Sequence, residues 1–110
     1  MDTAQLDRTF AALADPTRRE IVDALRRRPA TTGELVDQFA PQLVRTAVMK
    51  HLDVLEDAGL VRIERRGRSR WNHLDPRPLQ GVSTWLKRRV LTHQTNLHRL
   101  KNLAESRSKK

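Results

Sequence analysis

Cysteine and tyrosine are absent from this 110-residue chain, and only four aromatic side chains occur, Phe10, Phe39, Trp71 and Trp85. Without cysteine there is no disulfide framework, no thiolate metal site and no cysteine nucleophile. A core so short of aromatics must be built from Leu, Val, Ile and Ala, which favours packed helices over a β-sandwich. Long apolar runs are missing as well. The longest stretches without a charged side chain are about nine residues, such as 78–86, against the ~20 that a membrane helix needs. The opening MDTAQLDR is polar and lacks the apolar centre of a signal peptide. The expectation is a soluble, cytoplasmic chain without membrane association. A glycine-rich phosphate loop, a G-x-S-x-G elbow and a spaced set of metal ligands are also lacking, and the carboxylates are scattered, which argues against an enzyme.

What is abundant is positive charge. The chain carries 22 Lys and Arg against 13 Asp and Glu, a formal net charge of +9. The excess is uneven: residues 1–40 hold 6 basic and 7 acidic groups, 41–75 hold 7 and 5, and 76–110 hold 9 and 1. Such an imbalance points to a polyanionic partner, of which nucleic acid is the commonest. At this length one domain is expected, burying roughly 60–70% of the surface its unfolded chain exposes.

Hydrophobic periodicity divides that domain. Leu6, Phe10 and Leu13 recur at helical spacing over residues 4–14. A second helix restarts at Asp15, a suitable N-cap followed by Pro16, and buries Ile21, Val22 and Leu25 before Pro29 ends it. Thr31 and Glu34 have the spacing of a capping box, predicting a short third helix with Leu35, Val36 and Phe39 inward until Pro41. A fourth helix spans about 43–58 and stops at Gly59, a left-handed C-cap. From Leu60 the period changes to two, giving two strands over 60–74 joined by a tight turn at Arg66-Gly67-Arg68-Ser69.

A long final helix over 76–104 carries Leu79, Val82, Leu86, Val90, His93, Leu97, Leu100 and Ala104 at steps of three and four, close to a heptad seam. At 1.5 Å per residue it would reach roughly 43 Å, longer than a domain of this size is wide, so a partner helix is expected along it. Residues 105–110 read as a flexible basic tail. The fold class is therefore mainly α with a small β-hairpin, in the order α-α-α-α-β-β-α. Two helices around a short turn followed by a hairpin describe a winged helix-turn-helix, whose second helix enters the major groove.

Counting 100° per residue splits the fourth helix into two faces. Gln42, Arg45, Thr46, Met49, Lys50, Asp53, Glu56 and Asp57 share one arc, and Val44, Ala47, Val48, His51, Leu52, Val54, Leu55 and Ala58 fill the other. Arg45 and Lys50 suit guanine edges or phosphate, Thr46 suits either, and Met49 suits a thymine methyl. The three carboxylates lie further along the same face, so only the N-terminal end should enter a groove. The competing reading is a solvated surface helix with a Lys50–Asp53 pair. On the hairpin, Arg62, Arg65, Arg66, Arg68 and Arg70 surround Gly67, and Arg66, Arg68 and Arg70 are the expected phosphate or minor-groove contacts.

The stretches FAALADPTRREIVDAL, TTGELVDQF, AVMKHLDVLEDAGLV and RRGRSRWNHLDPRPL, spread over residues 10–85, together resemble the ArsR/SmtB family of bacterial winged-helix repressors. The resemblance implies a homodimer that occupies a promoter operator on double-stranded DNA, with an effector lowering its affinity. It implies a recognition helix at 44–58, a wing at 61–74 and dimer contacts through the first and last helices, here Leu6, Phe10, Leu86, Val90, His93, Leu97 and Leu100. Three departures stand out. Val44 replaces the serine that commonly opens the family's recognition helix, Met49 replaces another serine, and Val36 and Gln38 occupy the positions of its cysteine metal site.

A second family metal site, an Asp-x-His with a His-x-x-Glu on the last helix, is not matched: His93 and His98 stand five apart and point about 140° from each other. No native metal and no cofactor are expected, and this chain falls in the branch lacking the cysteine site. The effector is unassigned: a small organic molecule, a partner protein, or none. Among the remaining histidines, His51 reads as a core residue and His73 as structural or phosphate-facing, while His93 on the seam would link dimerisation to pH. The rival function is a non-specific architectural protein coating DNA through its basic C-terminal third.

Overall fold

The computed structural model describes residues 1–108. Five helices surround a small sheet: α1 (Thr3–Leu13), α2 (Pro16–Arg27), β1 (Ala30–Thr31), α3 (Thr32–Phe39), α4 (Arg45–Asp57), β2 (Val61–Arg66), β3 (Ser69–Leu74) and α5 (Arg77–Ser108). The sheet order is β1-β3-β2 and both pairings are antiparallel. The hairpin is thus one edge of a three-stranded sheet. The extra strand is only Ala30 and Thr31, facing Asn72 and Trp71, too short to register as a period in sequence.

Local chemistry explains the helix ends. Asp2 caps α1 by accepting from the Gln5 amide at 2.8 Å. Asp15 caps α2 by accepting from the amides of Thr17 at 2.9 Å and Arg18 at 3.3 Å, ahead of Pro16, whose missing N–H costs nothing there. Thr31 and Glu34 form the capping box of α3. α4 ends in a Schellman motif: the Gly59 amide donates to Glu56 O and the Leu60 amide to Leu55 O, both at 2.9 Å, with Gly59 at φ +76°. Leu55 and Leu60, the pair such a motif brings together, are fully buried.

The core is aliphatic. Ile21, Val22 and Leu25 of α2 meet Leu35 of α3, Val48, Leu52 and Leu55 of α4, and Leu60 and Val61 at the start of β2. Burial of each large side chain contributes roughly 1.5–3 kcal/mol. Val36 and Phe39 are half-buried at its margin. On α1 the buried positions are Thr9 and Ala12, while Leu6 is half-buried and Phe10 is exposed. The Thr9 hydroxyl is satisfied within its own helix by Gln5 O at 2.9 Å. Asn72 is the fully buried polar residue of β3, and its amide donates to Ala30 O at 3.2 Å and Thr32 Oγ1 at 3.1 Å. It ties β1 and the start of α3 to the hairpin.

α5 starts beside Asp75, whose carboxylate accepts from the Arg77 amide at 3.0 Å. Its first turns lie against α1, where Phe10 and Trp85 meet edge to face with ring centroids 5.5 Å apart. From Leu86 through Glu105 every residue is exposed, and the molecule measures 76 × 29 × 22 Å. The helix therefore leaves the domain rather than folding over it. It continues through Ser108, so residues 105–108, expected in a flexible tail, are helical; Lys109 and Lys110 lie outside the described residues. No helix among the described residues is long and apolar enough to cross a membrane.

Candidate nucleic-acid interface

α3 and α4 are joined by a turn over residues 40–44 that includes a cis Ala40–Pro41 peptide. α4 begins two residues later than the periodicity predicts, at Arg45, with Val44 in extended conformation at the N-cap and no side-chain capping bond. Gln42 accordingly sits in the turn and not on the helix, although it is exposed beside the helix start. Val44 at the cap has no side-chain oxygen to offer the free amides of the first turn.

Val48, Leu52 and Leu55 anchor α4 to the core. Opposite them Arg45, Thr46 and Lys50 are exposed, and Arg45 and Lys50 make no ion pair or side-chain hydrogen bond among the described residues. Met49 is half-buried, set between the two faces, which removes it from the fully exposed row. Three further positions differ from the two-face division, the first being Val44, expected in the covered arc but 66% exposed. Val54 is 38% exposed, and His51 is a half-buried bridge whose Nδ1 lies 3.3 Å from Arg18 Nη1. Asp53, Glu56 and Asp57 are exposed further along, with Glu56 roughly 9 Å beyond Lys50 along the axis. No Lys50–Asp53 pair forms among the described residues. The charge sorting on α4 is therefore a property of its solvent face, basic at the N-terminal end and acidic at the other.

Strand alternation sorts the wing. Val61 and Ile63 point to the core, so Arg65 shares their side, and its cross-strand partner Arg70 does too. Arg70 is half-buried there with its Nε unpartnered. Arg62, Glu64 and Arg66 face the other way together with Trp71 and His73. Gly67 and Arg68 make the two-residue turn, with Gly67 at φ +60° in the first central position, where a type II′ hairpin turn needs glycine. Arg68 projects from this tip and is exposed.

The three wing arginines singled out in sequence thus have different circumstances. Arg68 is free at the tip, Arg70 is partly covered, and Arg66 is already bonded to the Glu64 carboxylate through its Nε while lying over the Trp71 ring at 5.2 Å. That hydrogen bond, with the charge of Arg66, His73 and Arg62 nearby, holds the Glu64 carboxyl below the usual carboxylate range and raises the Arg66 guanidinium above its own. Arg65, set aside in sequence, is exposed on the core-facing side of the sheet and makes no ion pair among the described residues. Its parity with Val61 and Ile63 was the signal for that side.

On α5, Leu86, Val90, Leu97 and Leu100 are 46–63% exposed, and His93 lies in the same row, exposed. Arg89 stacks on the Trp85 ring at 4.1 Å. Among the described residues no group of three or more His, Asp or Glu is placed to hold a metal ion.

A helix-turn-helix whose second helix offers a basic end, flanked by an arginine-tipped hairpin on a three-stranded sheet, defines a winged-helix DNA-binding protein. The comparisons agree. The Helix-turn-helix domain family model matches residues 13–64. The HTH-type transcriptional regulator Rv2034 of Mycobacterium tuberculosis is 42% identical over 94 residues, covering 83% of this chain and 86% of the relative. The transcriptional repressor SdpR of Bacillus subtilis is 28% identical over 81 residues, covering 74% and 88%. An ArsR-like transcriptional regulator from Rhodococcus sp. RHA1 superposes with a TM-score of 0.82 at 32% identity, covering 94% of this chain and 93% of that one. The chain belongs to the ArsR family of transcriptional regulators. Such regulators bind DNA and are not enzymes.

Proposed function

We propose that this regulator is a homodimeric repressor that recognises an imperfect palindromic operator. The observation that carries the reading is the exposed N-terminal end of α4. Arg45, Thr46 and Lys50 stand there exposed, without side-chain partners among the described residues, on a helix whose other face is locked into the core. In this reading they discriminate bases, with Gln42 and Met49 at the margin of the contact, and Arg68, Arg66 and Arg70 of the wing hold phosphate. The apolar row Leu86, Val90, His93, Leu97 and Leu100, with Leu6 and Phe10 of α1, is the dimer contact. A two-fold axis then sets the half-sites about one helical turn, ~34 Å, apart. The similarity to SdpR, named a repressor, favours repression. The domain comprises residues 1–104, and affinity is set by a small organic molecule, by a partner protein, or by no effector at all.

Selection from a random duplex pool is the direct test. The expected result is a palindromic consensus bound roughly 10³-fold or more over random duplex, with Arg45→Ala and Lys50→Ala losing that preference at an unchanged melting temperature. The second reading, a coating protein, is favoured by α5, which carries Arg77, Lys87, Arg88, Arg89, Arg99 and Lys101 before its first acid, Glu105. It predicts no consensus and equal affinity for all duplexes, which would overturn the first.

A further inference from the structure

The outer face of the wing gathers charge in an unusual way. Glu64 has three cationic or protonatable neighbours: Arg66, bonded through Nε; His73, whose Nε2 is 3.1 Å away; and Arg62, at 4.0 Å. Trp71, directly across from Glu64 in the ladder, supplies the ring over which Arg66 lies. One hydrogen-bonded guanidinium over an aromatic ring, with His73 and Arg62 near the second carboxylate oxygen, is a setting in which a backbone phosphate could be held instead. Here a carboxylate of the same chain takes that place. Arg66 adjoins the turn residue Gly67, so it stands within side-chain reach of anything the tip of the wing touches.

We infer that Glu64 is an internal competitor for backbone phosphate, a positioning residue that folds Arg66 back onto Trp71 and so tempers sequence-independent binding to DNA. A chain with a net charge of +9 is attracted to any duplex, and phosphate contacts carry no sequence information. In the free protein Glu64 satisfies Arg66. On DNA the guanidinium either stays with Glu64, and its charge is cancelled, or moves to phosphate and leaves Glu64 facing the polyanion. Both routes subtract about one charge per wing from the electrostatic attraction. Arg68, one residue beyond the turn glycine, has no ion pair among the described residues and is exposed at the tip.

The inference rests on the wing touching DNA, and its test separates the two. Affinity for a random duplex is measured against KCl concentration for the wild type, Glu64→Gln, Arg66→Ala, Arg68→Ala and the pair Glu64→Gln with Arg66→Ala. Glutamine keeps the shape and removes the charge. Glu64→Gln is expected to bind random duplex roughly fivefold more tightly per wing at low salt, with the log–log salt slope steeper by about one unit per wing. Set against the Arg66→Ala single variant, the double variant should show neither gain, because both act through Arg66. If Arg68→Ala weakens binding while Glu64→Gln leaves affinity and slope unchanged, the competitor is refuted and the wing contact stands. If Arg68→Ala has no effect either, the wing contact fails and the inference with it. A gain that persists without Arg66 would refute the latch and leave Glu64 a plain repulsive charge. Matching circular dichroism spectra and melting transitions well above the assay temperature for the wild type and Glu64→Gln exclude a folding effect.

Discussion

Arg18 of α2 joins the C-terminus of α1 to His51 of the reading helix α4. Its Nε donates to Ala12 O at 2.6 Å, Nη2 to Ala11 O at 3.2 Å, and Nη1 lies 3.3 Å from His51 Nδ1. Arg19 adds a bond from Nη1 to Leu13 O at 2.7 Å. The last carbonyls of α1 are thus capped by guanidinium groups from the following helix, where positive charge suits the helix dipole.

Arg18→Ala removes this three-way tie and leaves carbonyls of α1 without it. The expected cost is about 1–3 kcal/mol of unfolding free energy, read by denaturant titration. DNA affinity at a temperature where the variant remains folded should also fall, because α4 loses a support. Arg18→Lys keeps the charge but not the fork and should recover only part of either loss.

At the other end of α4 the missing cap is a stability reserve. Val44 is 66% exposed in an extended conformation with no side-chain bond to the first-turn amides. Val44→Ser should raise stability by about 1 kcal/mol, seen as a melting temperature higher by roughly 4 °C. An unchanged melting temperature would mean that the first-turn amides are satisfied in solution by water alone.

Acid should destabilise the domain through named carboxylates. The side-chain and backbone hydrogen bonds of Arg77 hold Asp75 below the usual carboxylate range. Glu64 is lowered chiefly by its bond to Arg66. Burial pulls Asp15 upward, but the Arg18 amide, the His51 imidazole and the Thr17 amide outweigh it. A carboxyl whose folded pKa lies below its unfolded one contributes stability above the unfolded value, and that contribution is lost as pH falls through the folded value. Stability should be flat above about pH 5 and decline below about pH 4, with Asp75→Asn flattening part of the decline in a pH series of melting temperatures.

Oligomeric state should follow the α5 row. Leu97 and Leu100 are 52% and 63% exposed and lie beyond the part of α5 that meets α1, so Leu97→Arg with Leu100→Arg leaves the domain core intact. Sedimentation should shift from dimer to monomer and operator affinity should drop by 10²-fold or more, while the circular dichroism melting transition of the domain persists. A variant that stays dimeric would move the interface elsewhere.

Much of this molecule was legible one residue at a time. Asp15 before Pro16, the Thr31 and Glu34 box, Gly59 and Gly67 each announce a local backbone state, because capping and positive φ are decided by a few adjacent atoms. The inward stripes of α2 and α4 followed from period, and the exposed row Arg45, Thr46 and Lys50 from the same count. The family, too, was recognisable from the four quoted stretches. What chain order does not encode is which long side chain finds which partner. β1 is two residues held by Asn72, 42 positions away. Met49 and His51 fell between faces because neighbouring elements, not helical angle, set how much of each is covered. Arg66, Arg68 and Arg70 look alike in sequence. A sheet with one face on the core, one face open and a turn at its tip makes them three different groups: Arg66 latched to Glu64, Arg68 free and Arg70 half-buried. Sequence alone therefore determined the elements, their caps and the charge of the partner, all matters of local geometry and composition. Only the tertiary structure decided which of the many cations are available to that partner, because availability depends on contacts between residues that the fold, and not the chain, makes neighbours.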